Sequence, residues 1–440
     1  MDFTLIGTLG IICLLALLGM GVHIVIDFIL VGLIGTAILV GWSSGLSLLG
    51  ETMYYSIASP TFCVLPLFIL MGAFATRGGF AERAFESVHI LAARIPASLA
   101  IATSFGSAVF AAICGSSLAT ATIFGKLAYP EMRRHNYDKS FSLGSIASAG
   151  TFACMIPPSG MFILFAIFTE QSVGRLFMAG IVPGLLTATV YALSMFIRAK
   201  LKPELAPRVP EEWNVTIKDR AKALKNMWPI LFLAFLVIGG IYTGIFTSTE
   251  AGAVGALGTL IFGLVEGKLR EKGQIRAALR ESAHTATMLM FIIVTALFFS
   301  RFLAITRIPF ELADFLQQWD VHRLVILASV LLLWLILGML VVQAAVFALT
   351  LPILFPVVIA LGYDPIWFCV VAMKLNEIAG VTPPVGLNAF GLAGAAGDGT
   401  KVEEVFKGVW PFVLCDIFIL ILLFSFPDLV LFLPNAMLGG

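Results

Sequence analysis

Charged residues are scarce in this sequence. Asp, Glu, Lys and Arg make up only 12% of its 440 residues, whereas 60% are hydrophobic. The charged share is roughly half that of a typical soluble domain, which excludes a soluble globular enzyme. The 27 basic and 26 acidic residues leave a formal net charge of +1, so no overall electrostatic field attracts nucleic acid or an acidic protein.

Motifs of catalytic and metal sites are also missing. The six cysteines are scattered through apolar stretches without a C-x-x-C pair, a pattern that argues against a zinc site or a disulfide framework. The five histidines are dispersed along the chain and form no relay. The sequence contains no Walker loop and no nucleophile elbow, so neither ATP-driven transport nor catalysis has support from a motif.

Long apolar runs are abundant instead. No basic residue precedes the first run, so we expect a retained membrane segment rather than a cleaved signal peptide. The chain is predicted to be an all-α polytopic membrane protein. About ten runs can cross a hydrocarbon core about 30 Å thick: 3–20, 22–42, 60–76, 140–168, 176–197, 228–246, 249–265, 284–303, 366–396 and 408–433.

Two further apolar stretches, 98–130 and 324–356, are interrupted near their middles by small or polar residues. Each is too long for one straight crossing, which needs only about 20 residues. We therefore predict that each stretch forms two short helices folded back as a re-entrant hairpin.

The basic residues are unevenly distributed between the connecting segments. Segment 198–225 is rich in Lys and Arg, and if it is cytoplasmic, four other basic segments fall on the same side. The opposite side receives only Arg175, Arg307 and Arg323. The positive-inside rule therefore predicts that both termini lie outside. The four other cytoplasmic segments are 76–94, 131–139, 266–282 and 397–407.

The chain also contains an internal repeat. Pro157 and Pro158 recur 226 positions later as Pro383 and Pro384, and the same offset superposes the two hairpin stretches. Each half has an odd number of crossings, so the second copy is inverted, as in many secondary transporters. Five further identities share the offset: Ala119/Ala345, Pro130/Pro356, Tyr137/Tyr363, Asp138/Asp364 and Gly160/Gly386.

We divide the chain according to this repeat. A basic cytoplasmic linker joins the two copies, and each copy contains one hairpin and one helix broken at its Pro-Pro pair. The first repeat is 1–197, with hairpin 98–130 and broken helix 140–168; the linker is 198–227; the second repeat is 228–440, with hairpin 324–356 and broken helix 366–396.

The two Pro-Pro breaks predict the chemistry of the site. Tandem prolines remove two backbone donors and free the carbonyl groups one turn earlier. In lipid such carbonyls must face protein, water or an ion, and together with hydroxyls of the hairpin tips they offer neutral oxygen ligands for Na⁺. Helix N-termini at the same breaks direct partial positive charge toward an anionic substrate.

These considerations select the candidate site residues. The candidate substrate residues are Ser116, Ser117, Thr120, Ser159, Asn388 and Arg301. The candidate Na⁺ ligands are Ser116, Ser117, Thr151, Pro157, Gln343, Val381, Thr382 and Pro383. The alternative is that the prolines and small residues only kink helices for close packing, although two copies in symmetric places favour a binding site.

Three charged residues within apolar segments have two interpretations each. Lys374 and Glu377 lie three residues apart on one helix face, where they form either an internal ion pair, which we favour, or a coupling site. Arg301, near the end of a crossing, either neutralises a substrate carboxylate or extends its charge toward the membrane surface.

Several motifs resemble one family along nearly the whole chain, the large membrane subunit of tripartite ATP-independent periplasmic (TRAP) transporters. The resemblance implies a Na⁺-coupled importer of small organic acids, with Na⁺ as its only cofactor, in the bacterial inner membrane with both termini periplasmic. The motifs are Gly115-Ser116-Ser117-Leu118-Ala119-Thr120-Ala121, Ile156-Pro157-Pro158-Ser159, Leu176-Phe177-Met178-Ala179-Gly180-Ile181-Val182-Pro183-Gly184-Leu185, Phe246-Thr247-Ser248-Thr249-Glu250-Ala251 and Ile378-Ala379-Gly380-Val381-Thr382-Pro383-Pro384-Val385-Gly386-Leu387-Asn388.

The resemblance also implies partners and an elevator mechanism. The partners are a periplasmic substrate-binding protein and a small four-helix membrane subunit on a separate polypeptide. Because polar breaks must stay together around a substrate, we expect 98–168 and 324–396 to slide as one unit. The expected scaffold contains 3–42, 176–197, 228–265 and 408–433.

Two departures from the family pattern bear on the site. Family members commonly carry Gly-x-Phe-Met-Asp at the second hairpin, whereas Val342 stands here in place of the acidic residue, and Arg301 stands where an aromatic residue is expected. The substrate stays open among four-carbon dicarboxylates, sialic acids and other oxo-acids. The alternatives to the tripartite system are a stand-alone Na⁺-coupled anion carrier and an anion channel.

Overall fold

A computed structural model describes residues 3–207, 215–318 and 321–437. Within these ranges all the regular elements are helices and no strand occurs, which confirms the predicted all-α class. Part of the predicted linker 198–227, residues 208–214, lies outside the described residues. The remainder of that linker extends the preceding helix and forms a short helix of its own.

The helices of the first half follow the predicted order. One helix, at 42–58, was not predicted, because polar residues such as Ser43, Ser44 and Glu51 interrupt its sequence and leave no long apolar run. In chain order, the helices of the first half are α1 (Phe3–Gly19), α2 (Ile24–Val40), α3 (Trp42–Ala58), α4 (Val64–Arg77), α5 (Phe80–Ala92), α6 (Ser98–Cys114), α7 (Ser117–Arg134), α8 (Lys139–Gly150), α9 (Phe152–Met155), α10 (Gly160–Thr169) and α11 (Val173–Leu201).

The second half repeats much of this order. The run 408–433, predicted as one crossing, is interrupted at Phe426 and Pro427. The helices are α12 (Ile217–Asn226), α13 (Trp228–Tyr242), α14 (Ser248–Val265), α15 (Gln274–Thr306), α16 (Ile308–Gln318), α17 (Arg323–Leu340), α18 (Gln343–Ala360), α19 (Pro365–Val381), α20 (Leu387–Ala396), α21 (Val402–Ser425) and α22 (Asp428–Ala436).

Each predicted hairpin stretch is a pair of helices separated by two residues. Gly115 ends α6 with φ of 65°, a left-handed conformation that favours glycine, and the Ser116 hydroxyl accepts a hydrogen bond from the Ala119 N–H at the start of α7. The second pair is separated by Val341 and Val342 in extended conformations. The tips therefore lie where the small or polar interruptions predicted them, and their re-entrance in a membrane stays a prediction.

Both Pro-Pro pairs interrupt a helix, as predicted. The first break separates α9 from α10, and the combined helix bends by 40°. The second break separates α19 from α20. Helices α7 and α18 begin 226 residues apart, at Ser117 and Gln343, so the two halves share one order of elements around their breaks. The inversion of the second half stays a prediction.

The lengths of the helices identify a multi-pass membrane protein. Among the described residues, seven helices are long and apolar enough to cross a membrane, or nine if each of two bent pairs forms one span. Helices α1 and α2, both predicted as crossings, contain 17 residues each. Large apolar side chains on the protein surface, such as Leu9, Ile34, Phe235 and Leu414, are exposed and suit contact with lipid tails.

Close backbone contacts join α21 to the first broken helix. A side chain on Gly408 of α21 would collide with the backbone of α8, at the carbonyl group of Ser140 and at Gly144. Such an approach packs the two helices backbone to backbone, without room for a side chain at the crossing.

Helix α11 packs equally closely against the first break. A side chain on Gly180 would collide with the carbonyl oxygen of Met155, and one on Gly184 would lie 2.7 Å from Ile156. The expected scaffold included 176–197 and 408–433, whereas α11 and α21 pack against the first broken helix. Which helices move together stays a prediction. Hydropathy could not predict this packing, since it identifies a crossing but not its neighbours.

The crossing of α8 and α21 generates the first prediction. Gly408→Ala should lower the free energy of unfolding by about 1 to 3 kcal/mol, because the added methyl group overpacks a backbone contact. Gly394→Ala is the matched control, since a methyl group there meets no atom within 4 Å. The midpoint of thermal unfolding of the purified protein in detergent measures both. Equal midpoints for the two variants would contradict the close crossing.

Candidate functional site

A cavity of about 270 Å³ lies where the two hairpin tips meet the two breaks. Residues 114–119 of the first tip and 342–344 of the second line it, together with Pro158 and Gly160 of the first break and 387–388 after the second. Helices α4 and α15 complete the wall. The structure therefore brings together the four segments that the repeat singled out.

Four helix N-termini open into this cavity. Helices α7, α10, α18 and α20 all begin at lining residues. The first turn of a helix leaves backbone N–H groups without intrahelical partners and carries partial positive charge. Ser116 and Ser159 cap α7 and α10 with their hydroxyls, whereas α18 and α20 start without a side-chain cap. The cavity thus offers N–H groups to an anion.

Each tip rests on the break of its own half. A Cβ atom on Gly115 would lie 3.0 Å from the Pro158 carbonyl oxygen, so that tip and break meet backbone to backbone. In the second half, the N–H of Val385 donates to the carbonyl oxygen of Met339 at 3.3 Å. The first contact is backbone packing and the second is a hydrogen bond, and both hold a tip against the break of its own half.

The second tip also contacts the first break. The Gln343 amide donates to the carbonyl oxygen of Asn376 at 2.6 Å, and its oxygen accepts from the Cys154 thiol at 3.6 Å. Nearby, the side chain of Asn388 is buried, and its Nδ2 has no hydrogen-bond partner among the described residues. A ligand in the cavity can therefore accept a hydrogen bond from Asn388 without displacing a protein contact.

The predicted substrate residues divide into three groups. Ser116, Ser117 and Asn388 line the cavity. Thr120 and Ser159 are buried behind it, with their hydroxyls donating to the carbonyl oxygens of Ser116 at 2.8 Å and of Cys154 at 2.9 Å.

Arg301 belongs to the third group, because the structure does not bring it to the cavity. It is exposed on α15, 12 residues after the lining residue Leu289, which is roughly 18 Å along a helix. The structure places Arg301 outside this cavity, and its contact with a substrate carboxylate stays a prediction. Its exposure near the end of a long helix suits the alternative, a side chain that extends toward the membrane surface.

The predicted Na⁺ ligands are distributed around the breaks rather than gathered at one point. Gln343 joins Ser116 and Ser117 in the cavity wall. The hydroxyls of Thr151 and Thr382 donate to carbonyl oxygens within their own helices, at 2.7 and 2.8 Å, and keep a lone pair each. Val381 is buried, Pro383 is partly exposed, and Pro157 lines a separate apolar groove.

One charged residue lines the cavity, and sequence analysis missed it. Glu281, on the α15 wall, accepts two hydrogen bonds from the guanidinium group of Arg77, at 2.9 and 3.2 Å. This ion pair joins α4 to α15 and neutralises the carboxylate. Among the described lining residues there is no Lys or Arg, so an anion bound here would depend on N–H groups and hydroxyls.

The profile of the "Tripartite ATP-independent periplasmic transporter, DctM component" matches residues 11–429. This chain belongs to the DctM family of TRAP transporters. The match confirms the predicted large membrane subunit, a transporter component and not an enzyme.

Two relatives illustrate the family. The C4-dicarboxylate TRAP transporter large permease protein DctM of Pseudomonas aeruginosa is 34% identical over 376 residues, covering 85% of this chain and 86% of that protein. The sialic acid TRAP transporter large permease protein SiaM of Vibrio cholerae is 31% identical over 400 residues, covering 90% and 91%.

Solved structures share the fold at low identity. The YdaH transporter of Alcanivorax borkumensis superposes with a TM-score of 0.64 at 15% identity, covering 92% of this chain and 97% of that chain. MtrF of Neisseria gonorrhoeae gives a TM-score of 0.62 at 16% identity, covering 91% and 94%.

A buried charge cluster lies behind the second break of this TRAP subunit. The contact expected of the favoured pair, Lys374 and Glu377, is present, with 2.6 Å between Nζ and Oε2. Sequence analysis missed its partners, Asp416 on α21 and Tyr191 and Thr187 on α11. Asp416, an acidic residue inside the apolar run 408–433, was the sequence feature that could have indicated this cluster.

The unpartnered amide of Asn388 generates the second prediction. Asn388→Ala should weaken substrate binding about two- to tenfold, the range that corresponds to one lost hydrogen bond. Folding should be unaffected, because the Nδ2 group has no protein partner to lose among the described residues. Asn226→Ala, at an exposed position, is the control. Substrate-dependent uptake by reconstituted protein measures the effect, and unchanged half-saturation in Asn388→Ala would remove Asn388 from the site.

Proposed function

We propose that this TRAP subunit carries a small organic acid anion across the bacterial inner membrane together with Na⁺. The observation that carries the proposal is the convergence of four helix N-termini on a cavity whose described lining has no Lys or Arg. N–H groups fixed at helix ends are suited to a carboxylate. They also release an anion more readily than a buried arginine does, because they carry only partial charges.

Neutral oxygens support Na⁺ as the coupling ion. The hydroxyls of Ser116 and Ser117 and the carbonyl oxygens of Gly115 and Pro158 surround the contact between the first tip and the first break. Hydroxyl and carbonyl oxygens bind a hard cation without protonation chemistry. Within the described residues, no cluster of His, Cys, Asp and Glu suits a transition metal.

The size of the cavity supports a small substrate. A volume of about 270 Å³ is just below the usual range of ligand pockets. Names of the relatives cover C4-dicarboxylates, sialic acid, 2,3-diketo-L-gulonate and ectoine, so the family tolerates different acids on one framework. For this chain we propose an organic acid of the same small class.

The partners of the proposal follow from the family. We propose that a periplasmic binding protein delivers the substrate and that a small four-helix membrane subunit on another polypeptide completes the complex, with both termini of the large subunit periplasmic. Exposed apolar side chains on α1, α2 and α13, including Leu9, Ile34 and Phe235, provide surface for lipid or for that subunit.

We also propose an elevator movement with a revised boundary. The moving unit would contain both hairpins, both broken helices, α11 and α21, which pack closely against one another. Gly72 of α4 approaches the carbonyl oxygen of Cys114 equally closely, and the movement would separate that contact. The stationary part would contain α1, α2, α4, α14 and α15. Phe28, Phe299 and Phe302 form the core between α2 and α15, and the Arg77–Glu281 pair joins α4 to α15.

The third prediction concerns the driving ion. Reconstituted with its partners in liposomes, the protein should accumulate labelled substrate only under an inward Na⁺ gradient. Uptake that persists without Na⁺ and follows a proton gradient would contradict the proposal. Na⁺-driven uptake that needs no binding protein would favour the stand-alone carrier, and downhill flux without a fixed Na⁺ stoichiometry would favour a channel.

Ser117→Ala tests the proposed Na⁺ dependence at a single residue. The substitution nearly preserves the side-chain volume and deletes one hydroxyl, so the Na⁺ concentration for half-maximal uptake should rise at least several-fold. The matched control is Ser329→Ala, at an exposed helix position far from the breaks in sequence. An unchanged Na⁺ dependence in both Ser116→Ala and Ser117→Ala would favour the packing interpretation of the tip.

A further inference from the structure

The buried cluster behind the second break joins three helices. Lys374 and Glu377 of α19, Asp416 of α21, and Thr187 and Tyr191 of α11 all have at most 1% of their surface exposed. None of these side chains lines the cavity. The cluster is therefore separate from the proposed substrate site, and its charges must be balanced internally, because ions this deeply buried are costly.

The hydrogen-bond donors of the cluster are fully used. An ammonium group has three donors, and Lys374 directs them to Glu377 Oε2 at 2.6 Å, Asp416 Oδ1 at 2.6 Å and Thr187 Oγ1 at 3.1 Å. The hydroxyl of Thr187 donates in turn to the Pro183 carbonyl oxygen at 2.8 Å. The hydroxyl of Tyr191 contacts both carboxylate oxygens of Asp416, at 2.7 and 2.8 Å.

One acceptor of the cluster stays without a donor. Glu377 Oε1 has no hydrogen-bond partner among the described residues. Two ionised carboxyl groups against one ammonium group would leave a net charge of −1 in the interior, concentrated on an oxygen that nothing solvates. A buried unpaired charge is the most expensive arrangement available, and it is removed if one carboxyl group binds a proton.

The two carboxyl groups are not equivalent. Asp416 accepts hydrogen bonds from Lys374 and Tyr191, so both of its oxygens are stabilised as a carboxylate. Glu377 accepts one bond, from Lys374, on one oxygen. Hydrogen bonds to the charged form favour ionisation. We propose that the cluster is a proton-binding site in which Lys374 and Asp416 are charged and Glu377 carries the proton.

The surroundings of Glu377 do not supply another positive charge. Besides Asp416, the titratable groups that face the cluster are Tyr191 of α11, Cys154 of α9 and Cys415 of α21. Arg198, further along α11, lies over the rings of Phe141 and Phe412, 4.9 and 5.7 Å from their centroids. Lys374 is thus the one cation bonded to the cluster in the described structure.

The proton affects the neighbouring cavity through charge. Asn376, adjacent to Glu377, provides the carbonyl oxygen that holds the lining residue Gln343. Loss of the proton would add a negative charge close to a site proposed for an anion. This consequence rests on the proposed function, whereas the proton site itself does not.

Infrared spectroscopy tests the proton directly. The purified subunit in lipid nanodiscs should show the carbonyl stretch of a protonated carboxyl group at neutral pH, and Glu377→Gln should remove it. Asp27, a buried carboxyl group of which neither oxygen has a hydrogen-bond partner in the described structure, can add a band of its own, so Asp27→Asn is measured in parallel. Absence of a band that depends on Glu377 would overturn the proposal.

Thermal unfolding provides the second measurement. Gln is the isostere of a protonated Glu, so Glu377→Gln should unfold within about 2 °C of the wild type at neutral pH. Asp416→Asn removes the true counterion of Lys374 and should unfold roughly 10 °C lower. If Glu377→Gln is as damaging as Asp416→Asn, or fails to fold, Glu377 is ionised and the proposal is wrong.

The pH dependence of unfolding distinguishes a protonated Glu377 from an ionised one. The folded protein holds a proton that Glu377 of the unfolded chain releases at ordinary pH, so stability falls as the pH rises. The wild-type midpoint should therefore decrease toward alkaline pH more steeply than that of Glu377→Gln. Unfolding midpoints of wild type and Glu377→Gln that change in parallel with pH would overturn the proposal. This measurement needs no substrate, Na⁺ or partner protein, so it can fail while uptake assays still support the proposed function.

Discussion

In a hydrocarbon environment every backbone N–H and C=O group needs a partner, and the two Pro-Pro breaks leave several without one. At the first break, the Ser159 hydroxyl donates to the carbonyl oxygen of Cys154, four residues before Pro158, at 2.9 Å. Each hairpin tip lies against the break of its own half, as at Gly115 and Pro158, and the second tip reaches across to the first break through Gln343 and Cys154. The space that remains between the four segments is the cavity.

The same constraint determines how charge is distributed around the cavity. Breaking a helix creates a new N-terminus, so two breaks and two tips provide four partial positive charges at one place. Full charges are kept away from that place or are neutralised: Arg77 pairs with Glu281, and Lys374 is held by Asp416 and Glu377 behind the second break. An anion site built from partial charges can bind and release within one cycle.

Local patterns predicted what local geometry decides. Tandem prolines and small residues located the breaks and tips, and the spacing of Lys374 and Glu377 predicted their contact, because these features depend on neighbours along one segment. Contacts between distant segments were not predictable. Asp416 lies about 40 residues after Lys374 and contacts it only because α21 packs against α19. The position of Arg301 along α15 depends on where that helix begins, which apolar runs do not reveal.

Movement of the first hairpin tip against α4 is the central claim, and a disulfide tests it most directly. The Thr76 hydroxyl on α4 lies 3.8 Å from the Cys114 thiol at the tip, so Thr76→Cys should form a disulfide with the native Cys114. Ser194→Cys with Cys415 crosslinks α11 to α21, where the two side chains meet, and is the control within the moving unit. Oxidation should abolish uptake reversibly in the first variant and spare it in the second. Full crosslinking of the Thr76→Cys variant to Cys114 with unchanged uptake would contradict the account.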